Sequence, residues 1–258
     1  MDNIFGYPEF DKTEEKILTR TDGLFKNTMM NITVYRMEKT KSRSLSFPDE
    51  EMAILLIKGN VTLKWHGKSA EGRRSNFIKD GATCLHVCKN VPVEVSANED
   101  SEILVQSTVN NGTFESKLYT PENCGEETFG KNQFDGKAER TVRTFFDYST
   151  APYSNMVMGE IIVPQGGWSS YPPHHHPQPE VYYYRFEKPQ GFGACFIGDN
   201  VNKIKDGSFC AIPGGLTHPQ VNAPGYPMYY VWMIRHFDGD PWKDRIFDPA
   251  HKWLLDEK

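Results

Sequence analysis

The fold and the chemistry of this chain are decided by the stretch Gly167-Trp168-Ser169-Ser170-Tyr171-Pro172-Pro173-His174-His175-His176-Pro177-Gln178-Pro179-Glu180. Side chains alternate along an extended segment, so His174 and His176 are predicted to project to the same side. Glu180 opens the next predicted strand, which runs to Phe186. The stretch therefore predicts a cluster of two imidazoles and one carboxylate.

A second spaced pattern adds a third imidazole. It reads Gly207-x5-Pro213-x-Gly215-x2-His218-x3-Asn222. Three nitrogens and one oxygen suit a divalent transition metal and leave coordination positions open for water or substrate. We predict one divalent metal ion, with Zn or Mn favoured over Fe or Ni, on the ligands His174, His176, Glu180 and His218.

Together the two patterns resemble the signature motifs of the cupin superfamily, which implies a double-stranded β-helix. The composition agrees, since 13% of residues are aromatic and 21 glycines and 17 prolines punctuate short β-rich segments. The expected fold class is all-β, a bicupin with two jelly-roll barrels.

A faint internal repeat supports two barrels. Asp80-Gly81-Ala82-Thr83-Cys84 matches Asp206-Gly207-Ser208-Phe209-Cys210, and Glu51 parallels Glu180. In this register Pro92 stands where the second half has His218. We predict an N-terminal barrel without a metal site (residues 1–120), a polar linker (121–139) and a C-terminal metal-binding barrel with a tail (140–258).

Further segments are similar to the 5-deoxy-glucuronate isomerases of myo-inositol catabolism. The similarity covers nearly the whole chain, and its clearest parts are Trp168 to His176, Glu180-Val181-Tyr182-Tyr183-Tyr184-Arg185-Phe186, Gln190-Gly191-Phe192-Gly193 and Asp248-Pro249-Ala250-His251-Lys252-Trp253. It implies a metal-dependent aldose–ketose isomerase acting on a deoxy-uronic acid, with the metal in the C-terminal barrel. The chain departs from that family at His175 and in the short loop 177–179.

The resemblance also suggests roles for side chains near the metal. Counting by two from Glu180 brings Tyr182 and Tyr184 inward, and the same count from His218 brings Gln220 inward. Glu180 and the two tyrosines are the candidates for proton transfer. The substrate carboxylate needs a cation, for which the candidates are Arg185, Arg140 and Arg143. Gln220 is a further candidate for binding the substrate.

Three alternatives to this activity stay open. The related isomerase of 4-deoxy-5-keto-uronates in pectin breakdown has the same fold. A cupin dioxygenase would hold Fe(II) on the same ligands, and a non-catalytic sugar-binding bicupin would show no turnover.

Charge and composition bear on partners and location. A net charge of −5, with basic residues scattered along the chain, disfavours nucleic acid and anionic membranes as partners. The start has no signal-peptide pattern, and the longest aliphatic run, Ala53 to Ile57, is too short to span a bilayer. We expect a cytoplasmic enzyme with a small sugar-acid substrate, and exposed barrel edges are consistent with a homo-oligomer.

Overall fold

A computed structural model describes residues 4–256, and almost all regular structure in this range is β. The strands of the first half are β1 (Phe5–Gly6), β2 (Glu15–Thr19), β3 (Asn31–Met37), β4 (Ser42–Leu45), β5 (Glu50–Trp65), β6 (Lys68–Arg74), β7 (Cys84–Val87), β8 (Val93–Ala97), β9 (Ser101–Val109) and β10 (Lys117–Tyr119). Those of the second half are β11 (Glu126–Phe129), β12 (Arg140–Phe146), β13 (Met156–Val163), β14 (Trp168–Ser169), β15 (His174–His175), β16 (Glu180–Phe186), β17 (Phe192–Ile197), β18 (Asn200–Lys205), β19 (Phe209–Ile212), β20 (Gln220–Asn222), β21 (Met228–Arg235) and β22 (Ile246–Phe247).

Three short 3₁₀ helices complete the described secondary structure: Lys26–Thr28, Gln133–Gly136 and Pro249–Leu255. Within residues 4–256, no helix has the length and hydropathy needed to cross a bilayer.

The chain divides into two compact units. The N-terminal unit contains Pro8–Gly125 and Thr150–Met156, and the C-terminal unit contains residues 4–7, Glu126–Ser149 and the chain from Val157 onward. Each unit borrows a segment from outside its main stretch, because β1 pairs with β19 and residues 150–156 pack on β5. The segment 121–139, predicted to be a linker, instead contains β11 and a 3₁₀ helix.

Both units have the same strand order, which confirms the bicupin fold. The main sheet of the C-terminal unit runs β1-β19-β16-β21-β13-β12-β11, and that of the N-terminal unit runs β10-β7-β5-β9-β3-β2. A second sheet accompanies each, with β14-β20-β17-β18 in one unit and β4, β8, β5 and β6 in the other. The apolar core of the C-terminal unit includes side chains of both its sheets, as expected for a jelly roll.

The sequence register of the repeat, however, is wrong by one residue. Cys210 pairs with Tyr182, and both belong to the core of the C-terminal barrel. Cys84, its predicted counterpart, pairs with Leu55, and neither belongs to the core cluster of the N-terminal barrel. Because side chains alternate, a slip of one residue turns a side chain to the opposite face of the sheet.

The same slip corrects the proposed equivalence of Glu51 and Glu180. Met52 and Ile54 contribute to the N-terminal core cluster, so Glu51 lies on the other face of β5. At the interior positions, apolar side chains such as Met52, Ile54 and Leu85 fill this barrel.

Glu51 instead fastens residues 150–156 to the N-terminal unit. Its fully buried carboxylate accepts hydrogen bonds from the Asn155 backbone N–H (2.6 Å), Ser154 Oγ (2.8 Å) and Asn110 Nδ2 (3.0 Å). His86 Nε2 lies 2.9 Å from the same carboxylate. One carboxylate therefore lies within hydrogen-bond distance of four polar groups.

Removing this carboxylate should destabilise the fold. We expect Glu51→Ala to lower the free energy of unfolding by about 3 kcal/mol, because several buried donors lose their acceptor. Urea unfolding at fixed pH measures the change. Glu94→Ala, on the surface, is the control and should stay within about 0.5 kcal/mol of the parent. Equal midpoints for the two variants would contradict the assigned role of Glu51.

Candidate metal centre

Three of the four predicted metal ligands converge inside the C-terminal barrel. Ligand atoms of His176, Glu180 and His218 all lie within 4.8 Å of one another, and all three residues are buried. Glu180 Oε2 is 3.2 Å from Nε2 of each of the two histidines. His174 lies beside them, with its ring centroid 5.2 Å from that of His218.

The histidine rings are oriented by backbone carbonyls. Nδ1 of His174, His176 and His218 lies 2.8–2.9 Å from the carbonyl oxygens of Pro172, Gln178 and Leu216, respectively. A carbonyl oxygen only accepts, so each Nδ1 is the donor and Nε2 of the neutral ring is left with its lone pair. Histidines that bind metals through one ring nitrogen typically donate a hydrogen bond from the other in this way.

The donor set fits a cation. Burial lowers the pKa of His218. Burial and the nearby His218 ring lower the pKa of His174 well below its ordinary value. Both shifts favour neutral rings. Nε2 of His218 is buried and has no hydrogen-bond partner among the residues that the structure describes. It faces the Glu180 carboxylate, so two acceptors point at each other across 3.2 Å. A divalent ion between them would satisfy both groups.

Glycines and a short loop bring the two sequence motifs together. A Cβ at Gly214 would collide with the carbonyl oxygen of Pro177, and the Gly215 N–H donates to His176 O at 2.8 Å. Asn222 accepts from the Gly167 N–H at 2.8 Å. Gly214, Gly215 and Asn222 of the second motif therefore pack against Pro177, His176 and Gly167 of the first.

The predicted inward tyrosines occupy different depths of the barrel. The Tyr182 hydroxyl lies 3.0 Å from Ser170 Oγ, and its ring centroid is 6.0 Å from that of His218. The Tyr184 hydroxyl donates to Gln220 Oε1 at 2.6 Å and lies 3.0 Å from Cys210 Sγ. Tyr184 and Gln220 therefore satisfy each other, and Tyr182 is the tyrosine of this strand beside the ligands.

The three arginines predicted from sequence differ in their partners and in whether they lie near the ligand cluster. Arg185 lies on the face of β16 opposite Glu180 and pairs with Asp206 at 2.8 Å. Arg143 pairs with Glu126 and Glu160, both at 2.8 Å. The structure therefore does not bring these two to the ligand cluster.

Arg140 is different, because it lies three residues from Arg143 and faces the other side of β12. It is buried, donates to Ala138 O at 2.8 Å, and forms no ion pair within residues 4–256. Burial lowers its pKa, and Tyr230, Arg245 and Tyr182 are close enough to act on it electrostatically.

Sequence patterns missed one wall of the site. The segment after β21 returns to the ligands, because β22 pairs with β15 and places Phe247 opposite His174. The Phe247 ring is 6.0 Å from that of His174, and the Trp242 ring is 6.1 Å from that of His176. Arg245, next to β22, lies over the Phe129 ring that Arg140 also faces. No sequence motif after β21 predicts that β22 pairs with β15.

The fold and the ligand cluster define a cupin with a candidate site for a divalent metal in its second barrel. The chain belongs to the KduI/IolB family, whose model matches residues 7–254.

Named relatives agree with the family. Proteins called 5-deoxy-glucuronate isomerase are 28% identical over 243 residues in Geobacillus thermodenitrificans (87% of this chain and 86% of the relative) and 25% identical over 248 residues in Bacillus subtilis strain 168 (89% of each). They confirm the predicted isomerase class.

Solved structures share the fold. An IolB-like protein from Salmonella typhimurium LT2 superposes with a TM-score of 0.88 at 21% identity, covering 98% of this chain and 99% of that one. Oxalate decarboxylase from Lactobacillus farciminis superposes with a TM-score of 0.69 at 12% identity, covering 100% and 91%.

Proposed function

We propose that this chain is a metal-dependent aldose–ketose isomerase that converts 5-deoxy-D-glucuronate to 5-dehydro-2-deoxy-D-gluconate in myo-inositol catabolism. The observation that carries the proposal is the buried cluster of His176, Glu180 and His218, with an unpartnered imidazole nitrogen aimed at a carboxylate. The names of the relatives supply the substrate. We further propose that His174 is the fourth ligand, that the ion is Zn or Mn, and that the enzyme acts in the cytoplasm.

The reaction moves one proton between neighbouring carbons. It leaves the carbon beside the aldehyde and is returned to the aldehyde carbon, while a hydroxyl proton moves to the former aldehyde oxygen. When bound, a divalent ion in this ligand set supplies Lewis acidity that stabilises negative charge on substrate oxygen. The chain's own groups must carry the protons.

The tyrosines are donors in this scheme. Burial raises the pKa of Tyr182 well above its ordinary value, and Glu180 and Tyr230 raise it further, so its hydroxyl keeps its proton at neutral pH. Burial raises the pKa of Tyr230 as well. We assign Tyr182 the role of donating a hydrogen bond to the substrate oxygen on which charge develops. Glu180, a carboxylate that acts electrostatically on Tyr182, is then the proposed base.

We propose Arg140 as the group that binds the substrate carboxylate, with Arg245 beside it. A buried guanidinium without an anionic partner is costly, and a carboxylate ligand would remove the cost. Tyr182 and Tyr230 are close enough to Arg140 to act on it electrostatically, so its guanidinium is within reach of a ligand bound beside these tyrosines.

Replacing Arg140 should weaken substrate binding. We expect Arg140→Met to raise KM about 30-fold, the equivalent of a charge-assisted contact of about 2 kcal/mol. The loss should nearly vanish when the substrate is the corresponding carboxamide, which carries no charge. Steady-state kinetics with both substrates measures the difference. An equal loss on acid and amide would show that Arg140 only supports the fold.

An assay with and without oxygen tests the reaction class. Isomerisation consumes no oxidant, so conversion of 5-deoxy-glucuronate should proceed at the same rate under strict anaerobiosis. A requirement for oxygen would identify a dioxygenase instead. Faster turnover of 4-deoxy-5-keto-uronate would assign the chain to that isomerase.

A further inference from the structure

A cavity of about 300 Å³ opens in the N-terminal unit, in the barrel that is filled by apolar side chains. Its floor is built from inward positions of paired strands. Thr33 and Tyr35 of β3 are two positions apart and therefore lie on the same face of the strand, and Thr33 pairs with Val105 of β9. Tyr35 and Val105 also belong to the core cluster, so the cavity ends at the core of this barrel.

Two side chains of opposite charge, Arg20 and Glu50, line the cavity. Arg20 Nη1 donates to Thr33 Oγ1 at 2.7 Å and to Thr19 O at 3.2 Å. The Glu50 carboxylate accepts from Asn31 Nδ2 at 2.9 Å and from Ser107 Oγ. In the part of the chain that the structure describes, neither charge belongs to an ion pair.

Such an arrangement is unfavourable unless something fills it. Partly buried charges normally pair, and these two line the same cavity, with Arg20 directly after β2 and Glu50 at the start of β5. Neutral partners hold each of them in place: Thr33 orients the guanidinium, and Asn31 with Ser107 orients the carboxylate. Each charged side chain is therefore held at the cavity lining by neutral partners, and its remaining hydrogen-bonding capacity is available to a ligand.

We propose that this cavity binds a small hydroxylated carboxylic acid, such as a six-carbon sugar acid. Arg20 binds the ligand carboxylate through two N–H donors, and Glu50 accepts hydrogen bonds from ligand hydroxyls. The volume lies at the lower end of the range for small-molecule sites, which suits a ligand of this size. Phe47 at the cavity wall offers an apolar surface for the carbon chain.

This second site binds without catalysis. The groups around it are hydroxyl, amide, carboxylate and guanidinium, and the cavity has no histidine among its lining residues. Asp22 is exposed at the rim, where solvent screens its charge. The proposal stands independently of the isomerase activity, because it rests on the N-terminal unit alone.

Calorimetric titration with D-gluconate tests the site, since this acid has no aldehyde and cannot be isomerised. The full-length, metal-loaded protein should bind it, and Arg20→Met and the isosteric Glu50→Gln should each weaken binding at least 10-fold while kcat stays unchanged. Arg73→Met, on the surface, is the control and should bind as the parent does. Thermal melts of each variant check that folding is intact.

The metal site must be separated from the N-terminal cavity in this experiment. His218→Ala should retain the gluconate binding that depends on Arg20. No binding by the parent protein, or binding that survives Arg20→Met and disappears in His218→Ala, would overturn the proposal. Tighter binding of β-alanine than of gluconate, with the same dependence on Arg20 and Glu50, would also overturn it in favour of a zwitterionic ligand.

Discussion

His218→Ala is expected to remove the bound metal and to lower kcat/KM by about 10³-fold or more. The Lewis acid contributes several kcal/mol to the transition state, and about 4 kcal/mol corresponds to that factor. His218 is buried, and among residues 4–256 its Nε2 has no hydrogen-bond partner, so this nitrogen is available to a metal ion. Metal analysis of the purified variant and initial rates measure the two effects.

The matched control is His251→Ala, which changes the same residue type on an exposed surface. It should keep both metal and activity. Full metal content in the His218 variant would contradict its assignment as a ligand. Full activity in a metal-free variant would contradict the metal-dependent reaction.

Tyr182→Phe and Tyr184→Phe are expected to separate a catalytic hydroxyl from a structural one. Tyr182 lies beside the ligands as a protonated donor, so its loss should lower kcat about 10²-fold with little change in KM. The Tyr184 hydroxyl is occupied by Gln220. Its loss leaves a buried acceptor unpaired and should lower the free energy of unfolding by about 1–3 kcal/mol.

Steady-state kinetics and urea unfolding of both tyrosine variants give the comparison. The roles would be reversed if Tyr184→Phe lost turnover and Tyr182→Phe kept it. Equal and small kinetic effects in both would leave charge stabilisation to groups other than these hydroxyls.

The ligand cluster could be predicted from sequence because it depends on short spacings. His174, His176 and Glu180 lie within seven positions of one another, and alternation along extended backbone fixes their sides. Gly167 begins the first motif and Asn222 ends the second, and the two residues are joined by a hydrogen bond. Local geometry of this kind needs little knowledge of the remaining fold.

The rest depends on which strands meet, and spacing does not determine that. Arg140 and Arg143 looked equivalent from the sequence, but three positions along β12 place them on opposite faces. Arg245 and Trp242 reach the site only because β22 returns to β15. The repeat was visible, yet a slip of one residue reversed the faces of Cys84 and Glu51.

Proton NMR of 5-deoxy-D-glucuronate incubated with the metal-loaded protein tests the proposed isomerisation directly. We predict that the signals of the aldose disappear and that those of 5-dehydro-2-deoxy-D-gluconate replace them, and that His218→Ala leaves the spectrum of the aldose unchanged. An unchanged spectrum with the metal-loaded parent protein would show that the chain is not an isomerase of this sugar acid.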